Sequence, residues 1–159
     1  MADPVAGRPY IAHPEYGVPT TTKGLLSWRE VIDRFKTEPN YWISTTSPSG
    51  RPHVRPTWGV LVDDTIYFGG GPNTRWSRNL AANPFVAVHL ESASQVVVAE
   101  GRVDRISDAD DPRLGAADDA YEAKYKMRHG PPMWVLNPEV VIAWSNFPKD
   151  ATRFTLPAL

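Results

Sequence analysis

Apolar residues first recur along the chain with a helical period. Trp28, Val31, Ile32 and Phe35 stand at i, i+3, i+4 and i+7, behind an S-x-x-E pattern at Ser27 and Glu30 and ahead of Pro39. That spacing puts four side chains on one face of a helix started by a capping box and stopped by proline. From Tyr41 the period shortens to two. "YWISTTS", the turn "PSG", "RPHVRPTWGVLV", the turn Asp63-Asp64 and "TIYFGG" predict three consecutive antiparallel strands. Alternation resumes in "FVAVHLE" and, past a polar turn at Ser92 to Ser94, in "QVVVAEGRVDRI". Residues 108–130 are charged and contain alanines, with Tyr121 and Tyr125 at i, i+4, and predict a loop followed by a helix. "EVVIAWSNF" and "ATRFTL" supply the last strand or two.

About six strands, joined mostly by hairpins and interrupted by one short helix, predict a mainly β fold. A closed or split antiparallel β-barrel with flanking helices suits that order better than a parallel sheet, which would need repeated helical crossovers. Pro52 and Pro56 fall inside a predicted strand, so that strand should have a free edge or a bulge at its start. Residues 1–23 carry prolines at 4, 9, 14 and 19 and no apolar period, which predicts an extended arm over the surface or over a second subunit. Residues 24–159 then form a single barrel domain.

Composition narrows the chemistry. The chain has 159 residues, 42% of them apolar, enough for one continuous core. A formal net charge of -1 gives no global pull toward nucleic acid or anionic membrane, so an anion site has to be a local concentration of charge. The absence of cysteine excludes disulfides, thiolate metal sites and cysteine nucleophiles. "MADPVAGRPYIAHPEYG" has neither a leader pattern nor an apolar run of bilayer length, and the expectation is a soluble, cytoplasmic protein with no nucleic-acid or membrane partner.

The stretch "GGGPNTRWSRNLAANP", residues 69–84, concentrates the candidate chemistry. With Asn73 as N-cap, a short helix runs from about Thr74 to Ala82, and its first turn leaves backbone N–H groups and the positive end of the helix dipole facing whatever lies beyond the glycines. Arg75 and Arg78 share one face; Trp76 and Leu80 share another and should pack inward. Arg55, on the strand one hairpin upstream, could add a third guanidinium. Two readings stand on these residues alone: a tight turn followed by a solvated basic helix face, or a phosphate seat. The run matches neither G-x-G-x-x-G nor a P-loop.

Other chemistry has thinner support. His13, His53, His89 and His129 show no metal-ligand spacing, and no metal site is expected. Glu100 and Asp104 share a strand face, yet nothing brings them to a scissile bond. No G-x-S-x-G elbow occurs. Trp42, Trp58, Trp76, Trp134 and Trp144 should be mostly core, with one or two free to wall an aromatic ligand.

The order of these pieces resembles a known family. "GRPHVRPTWGVLVDDTIYFGGGPNTRWSRNLAANPFVAVHLE", then "VVVAEGRVDRI" and "ATRFTL", is similar to the FMN-binding split-barrel flavin and deazaflavin oxidoreductases, the pyridoxamine 5'-phosphate oxidase-like superfamily, over about residues 25–155. Within it the chain looks closer to the small proteins that use coenzyme F420. The resemblance implies a homodimer with two cofactor sites at the subunit interface, the cofactor phosphate being held by a strand residue and the short basic helix. It implies that Arg55, Pro56, Thr57 and Trp58 run beside the cofactor ring and ribityl chain, and that Gly69 and Gly70 end the next strand. Thr74, Arg75, Trp76, Arg78 and Asn79 match the phosphate helix, while Trp144 and Arg153 match a C-terminal aromatic and arginine directed toward the ligand. Many relatives carry lysine where Trp76 stands. The implied activity is hydride transfer between F420 and a conjugated organic substrate. FMN as oxidase or reductase cofactor, or a non-catalytic carrier of flavin, deazaflavin or haem, are the alternatives. The resemblance favours the phosphate seat over the plain turn.

Overall fold

The computed structural model describes residues 4–11 and 14–157, and His13 lies outside them. Helix α1 (Trp28–Thr37) starts as its capping box predicts: the Ser27 hydroxyl accepts the Glu30 N–H, and the Glu30 carboxylate accepts the Ser27 N–H at 2.7 Å. Its buried face carries Val31 and Phe35. Strand β2 (Tyr41–Thr46) buries Tyr41, Ile43 and Thr45 in strict alternation. A turn at Gly50, whose φ of +81° suits glycine, leads into β3 (Pro52–Thr57).

The segment expected to be one strand is two. The chain breaks at Trp58 and continues as β4 (Gly59–Val62), which pairs with β5 (Thr65–Gly69), whereas β3 stays on β2. The break is held by a residue far along the chain: the Gly59 N–H is donated to the Tyr125 hydroxyl at 3.0 Å instead of to a neighbouring strand. Helix α2 (Arg75–Ala82), β6 (Phe85–Leu90), β7 (Val96–Ile106), α3 (Leu114–Tyr125), β8 (Met133–Trp144) and β9 (Thr152–Thr155) follow. Residues Val5–Gly7 of the arm form β1 and add to β9, where Arg8 secures the chain through bonds to the carbonyls of Thr21, Lys23, Lys149 and Ala151.

All pairs are antiparallel, in the order β1-β9-β8-β7-β6-β2-β3, with β5 on β8 and β4 beyond it. β8 starts at Met133, well before the stretch predicted as strand, because Pro138 sits at an irregularity where its missing N–H disturbs little. There Gly101 faces Pro138 and Glu100 faces Val140, so Glu139 is extra. The extra residue reverses the inward phase: Trp134 and Leu136 join the main core before it, Val141 and Ala143 after it. One long strand thereby serves two sheet halves, β5 at its start and β9 at its end. The result is an antiparallel barrel, as the alternation predicts, and of the closed and split forms it is the split one.

The main core gathers Ile43, Phe68, Leu80, Val88, Leu136 and Phe154 inside the barrel, and a second core packs Ala117 and Tyr121 of α3 on Val60, Tyr67 and Met133. Burial of each such large side chain contributes about 1.5–3 kcal/mol. Lys124 braces the seam. Its ammonium donates to the carbonyls of Phe35 (3.2 Å) and Gly59 (2.8 Å) and to the Tyr41 hydroxyl (3.3 Å), and lies 4.4 Å from the centre of the Tyr41 ring. Phe35 is in the last turn of α1, so a cation there satisfies an orphan carbonyl at the negative end of the helix. Burial pushes its pKa down to about 8.

Two outcomes follow. A methyl group at Gly59 would stand 2.4 Å from the Tyr41 ring, which is fully buried; Gly59→Ala should destabilise the fold by about 1–3 kcal/mol. Gly115→Ala, where nothing lies within 4 Å, is the near-neutral control in the same urea titrations. Lys124 sheds its proton more readily folded than unfolded, so its contribution to stability rises between pH 8 and the ordinary lysine value of 10.5. Above pH 10 the tyrosines whose pKa burial raises reverse that slope. Lys124→Met should therefore remove a rise in unfolding midpoint between pH 8 and 10 that wild type shows; parallel curves would contradict the assignment.

Candidate functional site

Strand β3 is a sheet edge, paired with β2 on one side only. Register decides what each residue shows. His53, Arg55 and Thr57 share the face of the inward Thr45, Ile43 and Tyr41, while Pro52, Val54 and Pro56 share the opposite face. Because the Ser47 N–H bonds the Arg51 carbonyl, the odd positions direct their backbone groups to β2 and the even ones to the free edge. Two of those three edge residues are prolines, so the edge offers only the Val54 N–H.

Helix α2 lies under this edge. Its N-cap is Thr74 and not Asn73: Thr74 has extended geometry (φ -65°, ψ 152°), and its hydroxyl accepts the Ser77 N–H at 3.3 Å. Asn73 is drawn away because its carbonyl accepts a bond from the Arg78 guanidinium, while the Thr74 N–H closes a turn onto the Gly71 carbonyl at 3.1 Å. The N–H groups of Arg75 and Trp76, the first two helical residues, therefore have no acceptor within the helix. On the inner side Asn79 donates to the Thr45 hydroxyl at 3.0 Å, and Ser77 accepts from the Trp134 indole at 3.2 Å, which ties α2 to β2 and β8.

The predicted residues accordingly divide. Arg55, Arg75 and Arg78 are exposed, and none has a carboxylate within ion-pair range among the described residues. By contrast Arg113 binds Asp104 and Asp111, each at 2.7 Å. Arg55 donates to its neighbour's carbonyl at Val54, 2.8 Å away, and so lies along the free edge. The buried His53 joins the two elements: burial first, then the charges of Arg55 and Arg75, hold its pKa below the ordinary imidazole value. Pro56 faces the opposite side of the sheet. Trp76 and Asn79 are buried, so Trp76 offers the site a backbone N–H and gives its indole to the core, against Phe68. A Cβ on Gly70 would come within 2.5 Å of that indole, which explains glycine there.

Thr57 links the strand ends through a bond to the Gly69 carbonyl at 3.3 Å. Trp58, 47% exposed, lies on the ring of Tyr125, and the Tyr121 hydroxyl bonds its carbonyl at 2.9 Å. Trp144 and Arg153 are elsewhere. Both are on the outer face of the sheet, Arg153 opposite Ile142, and β8 and β9 stand four and five strands from β3. Among the described residues no hydrogen bond or ring contact joins Trp144 or Arg153 to the three arginines: Trp144 packs on Phe147, and Arg153 bonds Thr155 at 2.6 Å. Sequence reasoning allowed His53 to project toward a ligand from its strand but favoured a surface imidazole, whereas the side chain is buried; it missed His129, which only the Gly69 contact reveals.

The profile of the pyridoxamine 5'-phosphate oxidase family matches residues 28–145, which includes β3, β5 and α2. The chain belongs to the pyridoxamine 5'-phosphate oxidase family. Solved structures place this family member among split barrels. A putative 5-nitroimidazole antibiotic resistance protein from Bacteroides thetaiotaomicron is 16% identical, with a TM-score of 0.63, over 82% of this chain and 86% of that one. A heme binding protein from Mycobacterium smegmatis is 18% identical with a TM-score of 0.63, over 78% of this chain and 55% of that one. An F420 reductase is 21% identical with a TM-score of 0.54, over 69% and 94%. At such identities the shared property is the fold. No curated protein is similar enough in sequence to count as a relative. No helix among the described residues is long and apolar enough to cross a membrane.

For this family member the electrostatics give a sign. An anion placed between Arg55 and Arg75 offsets the charges that lower the His53 pKa. His53 should titrate at higher pH with inorganic phosphate bound than without it, and sulfate, which stays a dianion throughout, should bind more tightly as pH falls through that range. The imidazole proton shift in an NMR titration reads both; an identical midpoint with and without phosphate would contradict the placement.

Proposed function

We propose that the protein is an oxidoreductase that binds a phosphorylated flavin-type cofactor, coenzyme F420, and transfers a hydride between its ring and a conjugated organic substrate. The observation that carries this reading is a set of three exposed arginines with no carboxylate partner among the described residues: Arg75 and Arg78 on α2, whose first N–H groups have no helical acceptor, and Arg55 on β3, whose charge acts on His53 together with that of Arg75. Guanidinium forks and free helix N–H groups form a donor set that suits a phosphate dianion and suits no metal ion. Arg55, Arg75, Arg78 and the backbone N–H groups of Arg75 and Trp76 would hold the phosphate. Thr57, Trp58, Gly69 and Gly70 would flank the ring. The cofactor supplies the hydride chemistry; the chain's own residues bind it, orient it and keep water from one side of it. The order of motifs supports F420, and family membership supports FMN as the second reading.

A second copy of the chain completes the site in this reading. The outer face of the sheet presents Trp42, Pro56, Phe85, His89, Ile142 and Trp144, with Phe85 53% and Val54 40% exposed. Apolar exposure of this kind supports an interface, and a two-fold partner seated there could bring its Trp144 and Arg153 toward the arginines.

The test is a fluorescence titration of cofactor-free protein with F420 and with FMN at fixed ionic strength, repeated on Arg75→Ala/Arg78→Ala. Charge-assisted bonds are worth about 1.5–3 kcal/mol each, so the double variant should bind at least about tenfold more weakly. Unchanged affinity would reject the seat. Tight binding without turnover of enones or quinones by reduced cofactor would make the protein a carrier.

A further inference from the structure

Beside the arginines lies a second group of side chains that phosphate binding does not use. Trp58 stands three residues past Arg55, about 10 Å along extended chain. Its indole lies on the Tyr125 ring with centroids 4.7 Å and planes 4° apart, and it remains 47% exposed. One face is backed and the other is open. The Tyr125 hydroxyl is itself fixed, accepting the Gly59 N–H at 3.0 Å and standing 2.8 Å from the carbonyls of Pro39 and Gly59. A ring platform held in this way loses little freedom when a ligand arrives.

His129 is linked to the platform through Tyr121. A Cβ on Gly69 would lie 2.0, 2.1 and 2.7 Å from its Cε1, Nε2 and Nδ1 atoms, so the imidazole rests over that strand end only because the residue is glycine. Nδ1 is 2.8 Å from the Gly130 carbonyl, and a carbonyl can only accept, so Nδ1 carries the proton. Nε2 of the neutral ring is then an acceptor. It has no partner among the described residues, and because no buried side-chain nitrogen or oxygen there lacks one, Nε2 reaches solvent. The loop that carries it is pinned by the buried Asp118, whose carboxylate accepts the N–H groups of His129 at 3.0 Å and Gly130 at 2.8 Å. Tyr121 joins the two halves: its hydroxyl bonds the Trp58 carbonyl, and its ring is 5.1 Å from His129 and 5.3 Å from Tyr125.

We propose that Trp58 and His129 form a ring-reading subsite for a flat conjugated molecule bearing an O–H or N–H donor. The ring stacks on the open face of Trp58, and the donor bonds His129 Nε2. The subsite rests on the oxidoreductase reading for its context, because both the ring of a flavin-type cofactor and a hydroxylated aromatic substrate have this chemistry. Its own contacts need no phosphate.

The test uses ring probes without phosphate on the full chain. Lumiflavin, whose ring carries an N–H, is compared with its N-methylated form, and 2-naphthol with 2-methoxynaphthalene. The probes are titrated by fluorescence, and the His129 Cε1–H resonance is followed by NMR. At least one donor-bearing probe should bind, move that resonance, and bind about tenfold or more tightly than its donor-free counterpart. His129→Leu should abolish the discrimination, and His129→Gln, which keeps an acceptor, should retain part of it. Trp58→Leu should weaken both members of the pair, and Trp58→Phe should weaken them less. Discrimination by lumiflavin identifies the cofactor ring as the occupant; discrimination by naphthol identifies the substrate. Equal binding within both pairs, discrimination that survives His129→Leu, or an unmoved His129 resonance in wild type would overturn the proposal, the last without any variant having to fold. Because no probe carries phosphate, an arginine seat that fails its own test leaves this result readable, and the converse also holds.

Discussion

Strand β3 pairs on one side only, and the site depends on that constraint. Its free edge carries Pro52, Val54 and Pro56, so two of the three outward nitrogens cannot donate and a further strand has little to bind. The barrel therefore stays split at this point instead of closing against β4, and the chain leaves the sheet at Trp58 to pair with β5. Arg55 is held at this edge, and its charge and that of Arg75 on α2 both act on His53. Neither arginine, nor Arg78, has a carboxylate in ion-pair range among the described residues. Such charge is tolerated at the surface, and a bound anion would relieve it.

The remaining structure keeps that edge in place. The Asn79–Thr45 and Ser77–Trp134 bonds fix α2 against β2 and β8, and Trp76 fills the space that glycine leaves at position 70. On the far side of the split, α3 carries the braces: Lys124, Tyr121 and Tyr125 all bond the bend at Trp58 and Gly59. The second core beneath α3 is thus the support for one wall of the site as well as a source of stability. Half-buried Lys124, with no carboxylate in ion-pair range among the described residues, holds this seam through two carbonyls and the Tyr41 hydroxyl.

Much of this was legible in the residues, because period and sterics act locally. The capping box of α1, the alternation of β2 and β6, the partition of α2 into arginines outside and Trp76 with Leu80 inside, and the edge character of β3 all follow from spacing or from proline. What was not legible depends on contacts distant in sequence. The start of β8 is masked by Pro138, whose tolerance comes from a register shift against β7. The break at Trp58 depends on a tyrosine 67 positions later, and the N-cap moved to Thr74 because a guanidinium captured the Asn73 carbonyl. The imidazole of His129 over Gly69 has no local signature at all. Trp144 and Arg153, matched to the site by resemblance, stand on the outer face of β8 and β9, and their inclusion was a matter of family pattern, with no local signal in the chain.

The central claim is that the unpaired arginines at the β3 edge and the first turn of α2 receive a cofactor phosphate. A crystal structure of the protein grown with F420 or FMN, in buffer free of phosphate and sulfate, tests it most directly. The account predicts phosphate oxygens within hydrogen-bonding distance of the Arg55 and Arg75 guanidinium groups and of the N–H groups that open α2. A cofactor bound with its phosphate elsewhere, and these arginines left in solvent, would contradict it.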